Sequence, residues 1–220
     1  MSALPNLTDC GLDGVNAIPY GVHMCHFYEG REDLVAALVP YFSAGLCRNE
    51  RCIWITADPL DAADAQDALR NAGLDVDSVI RSGALVIRDQ AGWYDVVDPS
   101  AISEMVSVWL EAERSALAEG YSGLRIAGNT SFVTPAHWLA FMEYEERIGR
   151  EFATRRIVTL CSYRLAQCAA TDLLDAARNH HCMLDRTDRG WQVFTARHGG
   201  AGSFVAPRSG FGSDGAHAGA

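Results

Sequence analysis

The sequence predicts an α/β domain with three layers, in which helices cover both faces of a mostly parallel β-sheet. Short apolar runs of strand length alternate with helical segments of roughly 10 to 18 residues, which is the pattern of parallel βαβ units. One run, 51–56, is almost continuously apolar, as expected for a strand buried on both faces. A length of 220 residues without an internal repeat fits one domain with tails.

The first half of the domain is predicted from apolar periodicity and from residues that begin or end helices. Glu32 and Asp33 favour a helix start, because acidic side chains are stabilised at helix N-termini. Pro40 lies in the middle of this helix and is expected to kink it. Gly73 suits the end of the next helix, where glycine readily adopts a left-handed conformation. The predicted elements are strand 21–28, helix 32–48, strand 51–56, helix 61–71, strand 84–89 and helix 101–119.

The second half continues the alternation and ends in a region of low complexity. Pro135 occupies a favourable first position for a helix. The predicted elements are strand 123–128, helix 135–153, strand 156–163, helix 169–178 and an edge strand 190–194. We therefore predict a flexible leader over 1–18, a domain over 19–197, and a disordered tail rich in Gly, Ser and Ala over 198–220.

Composition narrows the class of protein. The net charge is −10 and no basic block offsets it, which argues against direct nucleic-acid binding and against an anionic membrane surface. No apolar run reaches the roughly 20 residues of a membrane span, and the N-terminus lacks the pattern of a signal peptide. The seven cysteines are irregularly spaced, which does not indicate a disulfide framework. A cytoplasmic location is the expectation.

The stretch 22–30 brings two histidines, a thiol and a phenol to the first strand-to-helix turn, where a nucleotide-binding protein has its phosphate loop. That loop needs glycines to expose backbone N–H groups, a lysine for the terminal phosphates and a Ser or Thr for magnesium. The turn here has one glycine, Gly30, and carries Glu29, Glu32 and Asp33 instead. The sequence therefore predicts a degenerate phosphate loop without nucleotide hydrolysis; residual nucleotide binding remains an alternative.

Polar side chains cluster at the predicted carboxyl ends of the strands, where open parallel sheets bind ligands. Trp93 and Tyr94 follow the third strand in a loop and form an aromatic pair suited to covering a small apolar ligand. Arg125, inside an apolar strand, requires an anionic partner or an exposed face, such as a salt bridge near the sheet edge. The residues at these strand ends are Tyr28, Glu29, Thr56, Asp58, Asp89, Asn129, Cys161 and Tyr163.

A metal site and a nucleophilic site are alternatives for the opening strand. His23 and Cys25 share one face of a strand and His26 points to the other, so at most two of the three converge. A closed tetrahedral zinc site needs two further ligands. A Cys25 nucleophile activated by His23 is another alternative, as is a buried thiol with no chemistry. The candidate further ligands are Cys161, Cys168, His180, His181 and Cys182.

The run His23-x-Cys25-x-Phe27-Tyr28 resembles the signature of the MEDS sensory domain, named for methanogens, methylotrophs and a dichloromethane-responsive regulator. Further segments of the resemblance follow in order, and together they cover about residues 18 to 193. The resemblance implies a RecA/KaiC-like domain with a degenerate phosphate loop that senses small hydrocarbon derivatives and controls transcription or a kinase. The further segments are 38–46, 50–56, 123–128 and Cys161-x-Tyr163.

The resemblance implies a non-catalytic module that binds a small ligand at the carboxyl edge of the sheet and shifts helix 32–48 or the loop at Trp93. Many relatives carry an acidic residue where this chain has Asn129, and many are fused to DNA-binding or kinase domains. We therefore expect a regulatory protein partner or a homo-oligomer. No cofactor is predicted, but a metal- or haem-dependent redox sensor using His23, Cys25 and Cys161 is an alternative. The expected ligand-binding residues are His23, Cys25, Tyr28, Glu29, Trp93, Asn129, Cys161 and Tyr163.

Overall fold

The chain folds as the sequence predicts, with helices packed on both faces of a mostly parallel sheet. The structure is a computed structural model that describes residues 6–15, 17–90, 99–188 and 190–195. The elements of this part of the chain are β1 (Leu7–Thr8), β2 (Ile18–Pro19), β3 (His23–Tyr28), α1 (Arg31–Cys47), β4 (Arg51–Thr56), α2 (Ala62–Asn71), α3 (Val76–Arg81), β5 (Leu85–Asp89), α4 (Pro99–Ala118), β6 (Leu124–Asn129), α5 (Trp138–Phe152), β7 (Ile157–Arg164), α6 (Ala170–Asn179), β8 (Cys182–Thr187) and β9 (Gly190–Phe194).

The main sheet has seven strands in the order β5-β4-β6-β7-β3-β8-β9. All neighbours are parallel except β8 and β9, which pair antiparallel at one edge. Strand β3 lies between β7 and β8, and Cys25 pairs with Cys161 across the β3–β7 ladder. The opening strand is thus a central strand, and its side chains face a helical layer on each side.

The two faces of the sheet bury separate apolar cores. Met24 and Tyr28 of β3 belong to the core beneath α1, together with Phe42. Cys25 belongs to the core on the other face, where α4 and α5 contribute Trp109 and Ile148. Successive residues of a strand point to opposite faces, so this division follows the alternation along β3.

Residues 6–15 are part of the folded domain, although the sequence assigns them to a flexible leader. Strand β1 pairs with β2, and Cys10 and Leu12 are buried. Arg125 holds this segment because its guanidinium donates to the carbonyl oxygen of Asp9 at 2.6 Å while its Nε contacts Glu50 at 2.5 Å. The predicted salt bridge therefore exists but lies in central strand β6, not near the sheet edge. The leader prediction is wrong for this stretch.

Helix α1 includes Pro40, as predicted, and Gly73 has the left-handed backbone expected after α2, with φ of +89°. Other details of the elements differ from the sequence prediction. Helix α3 and strand β8 were not predicted. Among the described residues, no helix combines the length and apolar character that crossing a membrane requires. The predicted tail 198–220 and the pair Trp93–Tyr94 lie outside the described residues.

Candidate functional site

In the turn between β3 and α1, a carboxylate side chain binds the backbone N–H groups. Asp33 Oδ2 accepts hydrogen bonds from the backbone N–H groups of Glu29 at 3.0 Å and Gly30 at 3.3 Å. In phosphate loops, backbone N–H groups at a helix N-terminus are what hold the phosphate oxygens. Here the Asp33 carboxylate accepts these hydrogen bonds in place of a phosphate, and the side chain of Glu29 is exposed beside it. This turn is therefore built to bind its own anion rather than a polyphosphate.

At the carboxyl end of the sheet, Tyr28 and Asn129 form a link between strands. The Tyr28 hydroxyl donates to Asn129 Oδ1 at 2.8 Å. The Asn129 amide nitrogen donates in turn to the carbonyl oxygens of Ala57 at 2.9 Å and Asp58 at 3.0 Å. Because these polar groups are satisfied by one another, Tyr28 and Asn129 tie β3 and β6 to the loop after β4.

Four side chains with metal-ligating atoms converge on the other face, between the sheet and helices α5 and α6. They are His23, Glu145, Cys161 and His180, all buried, and their ligand atoms lie within 4.8 Å of one another. Glu145 Oε2 is 3.0 Å from His23 Nε2 and 3.0 Å from His180 Nε2. The His23 Nε2 is 3.4 Å from the Cys161 sulfur. We call these four residues the buried cluster.

Backbone hydrogen bonds tie residue 23 to residue 181 and fix the orientation of the His180 ring. The backbone N–H of His181 donates to the carbonyl oxygen of His23 at 2.8 Å, and the N–H of His23 donates to His181 Nδ1 at 3.0 Å. His180 Nδ1 lies 2.6 Å from the carbonyl oxygen of Ala176; a carbonyl only accepts, so Nδ1 carries the proton. A side chain at Gly149 would place its Cβ 3.3 Å from His23 Nδ1, so glycine allows α5 to pack closely here.

Burial and mutual contact shift the ionisation of the buried cluster. Burial, together with nearby His180, lowers the pKa of His23 to about 4, while Glu145 opposes the shift. Burial opposes ionisation of Glu145, but contacts with His180 and His23 outweigh it and hold the pKa of this carboxyl well below its usual range. Burial and the adjacent Glu145 raise the pKa of the Cys161 thiol well above its ordinary value. The Glu145 carboxylate is therefore ionised and lies against two imidazoles and a protonated thiol.

A small cavity adjoins the buried cluster, between β6 and β7 on one side and α4 and α5 on the other. Measured as the space open to the centre of a water molecule, the volume of this cavity is about 20 Å³. That is room for a molecule of very few atoms and far too little for a haem. Thr159 lines this cavity, and its hydroxyl has no hydrogen-bond partner among the described residues. The other lining residues include Trp109, Ile126, Phe141, Tyr144, Glu145, Ile148 and Cys161.

Residues 22–181 match the family model of the methanogen/methylotroph, DcmR sensory domain, abbreviated MEDS. This chain belongs to the MEDS family. No curated protein matches the MEDS chain.

Two solved structures have a similar fold. One is a KaiC-like protein of Pyrococcus horikoshii OT3, with 10% identity and a TM-score of 0.57 over 89% of the MEDS chain and 90% of that chain. Another is the flagellar accessory protein FlaH of Methanocaldococcus jannaschii, with 12% identity and a TM-score of 0.55 over 82% and 80% of the two chains. These likenesses establish a RecA/KaiC-like fold for the MEDS chain.

The structure divides the residues expected to bind ligand into separate places. His23, Cys25, Cys161 and Tyr163 face the same layer, whereas Tyr28 faces the other. The expectation of one pocket that joins His23, Cys25 and Tyr28 at the carboxyl edge is therefore wrong, because odd and even residues of β3 point apart. Glu29 lies exposed in the turn, Asn129 bonds to Tyr28, and Trp93 lies outside the described residues.

Cys25 lies near the buried cluster but is not among the four converging residues. Burial and the proximity of Cys182 and Glu145 raise the pKa of the Cys25 thiol far above its ordinary value, so it stays protonated. The His23 ring is directed at Glu145 and Cys161. The arrangement therefore does not support a Cys25–His23 nucleophilic pair.

Glu145 is the member of the buried cluster that sequence reasoning missed. It lies on the buried stripe of α5, four residues after Phe141 and three before Ile148. Charged side chains are seldom fully buried unless they are paired. A carboxylate in the middle of an apolar helical stripe was thus the signal available in the sequence.

Proposed function

We propose that this MEDS chain is a non-catalytic sensory module that binds a molecule of very few heavy atoms in the cavity beneath β6 and β7. The observation that carries the proposal is the composition of that cavity. Its walls are mostly apolar, and the lining residues with polar side chains include Asn129, Thr130, Glu145, Thr159 and Cys161. Such a site suits a compact molecule with an apolar body and one polar group, which includes small hydrocarbon derivatives.

The β3–α1 turn supports a sensory rather than an ATP-hydrolysing role. The backbone N–H groups of Glu29 and Gly30 are already bonded to Asp33. A nucleoside triphosphate would have to displace this carboxylate and approach the negative charges of Glu29 and Glu32, and the turn has no lysine to offset its charge. Residual nucleotide binding at this turn is therefore the less favoured function.

The position of the cavity indicates how a signal would leave the protein. A ligand there touches α4 and α5, whereas α1 lies on the opposite face of the sheet. Both helices carry exposed apolar side chains, Val108 at 48% and Leu139 at 77% exposure. A ligand that favours one arrangement of α4 and α5 increases the population of that arrangement. A regulatory partner protein, or a second copy of this chain, would then bind that arrangement.

The test is ligand-induced stabilisation of the purified protein. We expect dichloromethane, or another organic molecule of up to about five heavy atoms, to raise the melting temperature. A ligand at 100 times its Kd adds about 2.7 kcal/mol to the unfolding free energy. The variant Ile148→Phe fills the cavity and should abolish the shift. Stabilisation that is equal in Ile148→Phe, or absent for every molecule of this size, contradicts the proposal.

The variant Thr159→Val tests the polar side of the cavity. The change keeps the shape of the side chain, and the hydroxyl it removes has no partner among the described residues. We therefore expect unchanged or slightly higher stability, together with about tenfold weaker binding of a ligand that hydrogen-bonds Thr159, the effect of about 1.4 kcal/mol. Calorimetric titration of both proteins measures this difference; equal affinities would place the polar group of the ligand elsewhere.

A further inference from the structure

We propose that the buried cluster of His23, Glu145, Cys161 and His180 is a binding site for one divalent transition-metal cation, of which Zn²⁺ suits the donor set best. The site does not rest on the proposed sensory function, since a cation can bind whether or not an organic ligand does. Two imidazole nitrogens, a carboxylate and a sulfur are all ligands that zinc takes, whereas magnesium and calcium prefer oxygen alone.

The distances between the donor atoms are close to those of a tetrahedral metal site. With metal–ligand bonds of about 2.0–2.3 Å, tetrahedral ligand atoms lie about 3.3–3.8 Å apart. In the protein the Glu145 oxygen is 3.0 Å from each imidazole Nε2, and His23 Nε2 is 3.4 Å from the Cys161 sulfur. All four donors lie within 4.8 Å of one another. Movements of a few tenths of an ångström to about one ångström would bring them to a common centre.

Hydrogen bonds do not explain why these atoms converge. His180 donates its Nδ1 proton to Ala176, so a ring with a single proton presents the Nε2 lone pair to the Glu145 carboxylate 3.0 Å away. Within the described residues, neither carboxylate oxygen of Glu145 nor His180 Nε2 has a correctly aligned hydrogen bond, although all are fully buried. Two acceptors that face each other in a protein interior repel unless a cation lies between them. A metal ion satisfies both at once.

The charges in the buried cluster also favour a bound cation. Glu145 is 1% exposed, and its ion-pair partners among the described residues are the two imidazoles rather than a lysine or arginine. An isolated buried carboxylate is strongly unfavourable. A bound divalent cation would also stabilise the thiolate of Cys161, as metals do for coordinating thiols.

The supporting contacts are those expected around a metal ligand. Metal-bound histidines usually donate their second ring N–H to a carbonyl or carboxylate, which fixes the ring and its tautomer. His180 does this through Ala176, at the end of α6. His23 and Cys161 lie on central strands, and Glu145 lies on a helix packed against them. The donors are thus held by rigid elements, and Glu145 and Cys161 also border the cavity.

The experiment measures metal content and the spectrum of bound Co²⁺ in the full-length protein. We expect about one metal ion per chain by elemental analysis after purification without chelators. After removal of that ion, Co²⁺ should bind with a near-ultraviolet sulfur-to-cobalt charge-transfer band, because a thiolate is among the ligands. Cys161→Ala should lose the band. Cys25→Ala is the matched control, since Cys25 pairs with Cys161 across the ladder but lies outside the cluster.

Glu145→Gln keeps the shape of the side chain and removes the charge, and we expect at least a tenfold loss of Co²⁺ affinity. Far-ultraviolet circular dichroism of each variant shows whether it is folded. If a variant does not fold, the wild-type spectrum decides: native protein that takes up no Co²⁺, or binds it without the sulfur band, overturns the proposal. Equal metal content and an equal band in Cys161→Ala and wild type overturn it as well. Neither measurement uses an organic ligand, so this result is separate from the sensory test.

Discussion

Arg125 makes several of the contacts that attach the N-terminal segment to the domain. It is fully buried and spans from β6 to the backbone of residues 9, 10 and 41 while pairing with Glu50. Thr8 and Tyr20 bind the same carboxylate at 2.5 Å and 2.7 Å. These contacts explain why a stretch of weak periodicity is folded: its polar groups are required to satisfy a buried ion pair.

Arg125→Met should therefore destabilise the protein strongly. The variant leaves the Glu50 carboxylate buried without its cation, which costs about 3–5 kcal/mol of unfolding free energy. Urea denaturation measures the loss, and limited proteolysis should show earlier cleavage within residues 6–15. The double variant Glu50→Gln/Arg125→Met removes the orphan charge and should recover part of the loss. A change below 1 kcal/mol in the single variant would show that the pair contributes little.

His26 makes the stability depend on pH. Its ring is buried against Trp191, with centroids 5.3 Å apart, and burial lowers its pKa to about 4, with Asp33 opposing the shift. The pKa in the unfolded chain is near 6.5. Because the folded pKa is depressed, this contribution is complete above about pH 6.5 and is lost as the pH falls toward 4.

Between pH 7 and pH 5 we expect His26 to account for a loss of about 2 kcal/mol in unfolding free energy. His26→Phe keeps a ring of similar size and should reduce the acid destabilisation by that amount. Denaturant titrations at both pH values give the comparison, and the other buried imidazoles contribute to both proteins alike. Parallel pH profiles for the two proteins would show that His26 is not buried in its neutral form.

Among the elements, helix α1 begins with a carboxylate where a nucleotide-binding protein would hold a phosphate. The Asp33 carboxylate binds the N–H groups of Glu29 and Gly30 and lies in the first turn, where a negative charge is stabilised. The helix thus satisfies its N-terminal donors internally. This local solution makes α1 independent of any nucleotide.

Asp33→Ala should cost about 1 kcal/mol, the usual effect of losing side-chain acceptors at a helix N-terminus. Glu32→Ala is the control, because Glu32 lies in the same turn but is not the acceptor of these two N–H groups. Denaturant unfolding measures both variants. ATP should leave the melting temperature of wild type and of both variants unchanged. Stabilisation of wild type by ATP would show that nucleotide binding has survived.

Long periodic elements were predictable from the sequence, whereas the site was predictable only in part. Strand β4 was predicted over 51–56 and spans Arg51–Thr56, since a continuous apolar run flanked by polar residues allows few alternatives. Helix α3 has six residues and β8 contains Asp185 and Arg186, so neither shows a clear apolar period. Glu145 was missed because a carboxylate in a helix is usually assigned to solvent, and its partners come from elements distant in sequence.

In the molecule as a whole, the sheet separates the β3–α1 turn and one apolar core from the buried cluster and the cavity. One face, beneath α1, holds the degenerate phosphate turn and the tightly packed core around Trp54 and Phe42, whose rings stack at 4.8 Å. The other face, beneath α4, α5 and α6, holds the buried cluster and the cavity. In this MEDS chain the polar chemistry thus lies within the layer opposite α1, not at the nucleotide turn.

Hydrogen–deuterium exchange on the whole chain distinguishes these two faces. If the proposed sensory function is right, dichloromethane or another stabilising ligand of that size should slow amide exchange in α4 and α5, which border the cavity. Exchange in α1 should stay the same, because the sheet lies between α1 and the ligand. Ile148→Phe, with the cavity filled, should show no ligand effect in either layer. Protection confined to α1 and the β3–α1 turn would instead place the ligand at the carboxyl edge near Tyr28 and Glu29, and would transfer the sensory role to the face beneath α1.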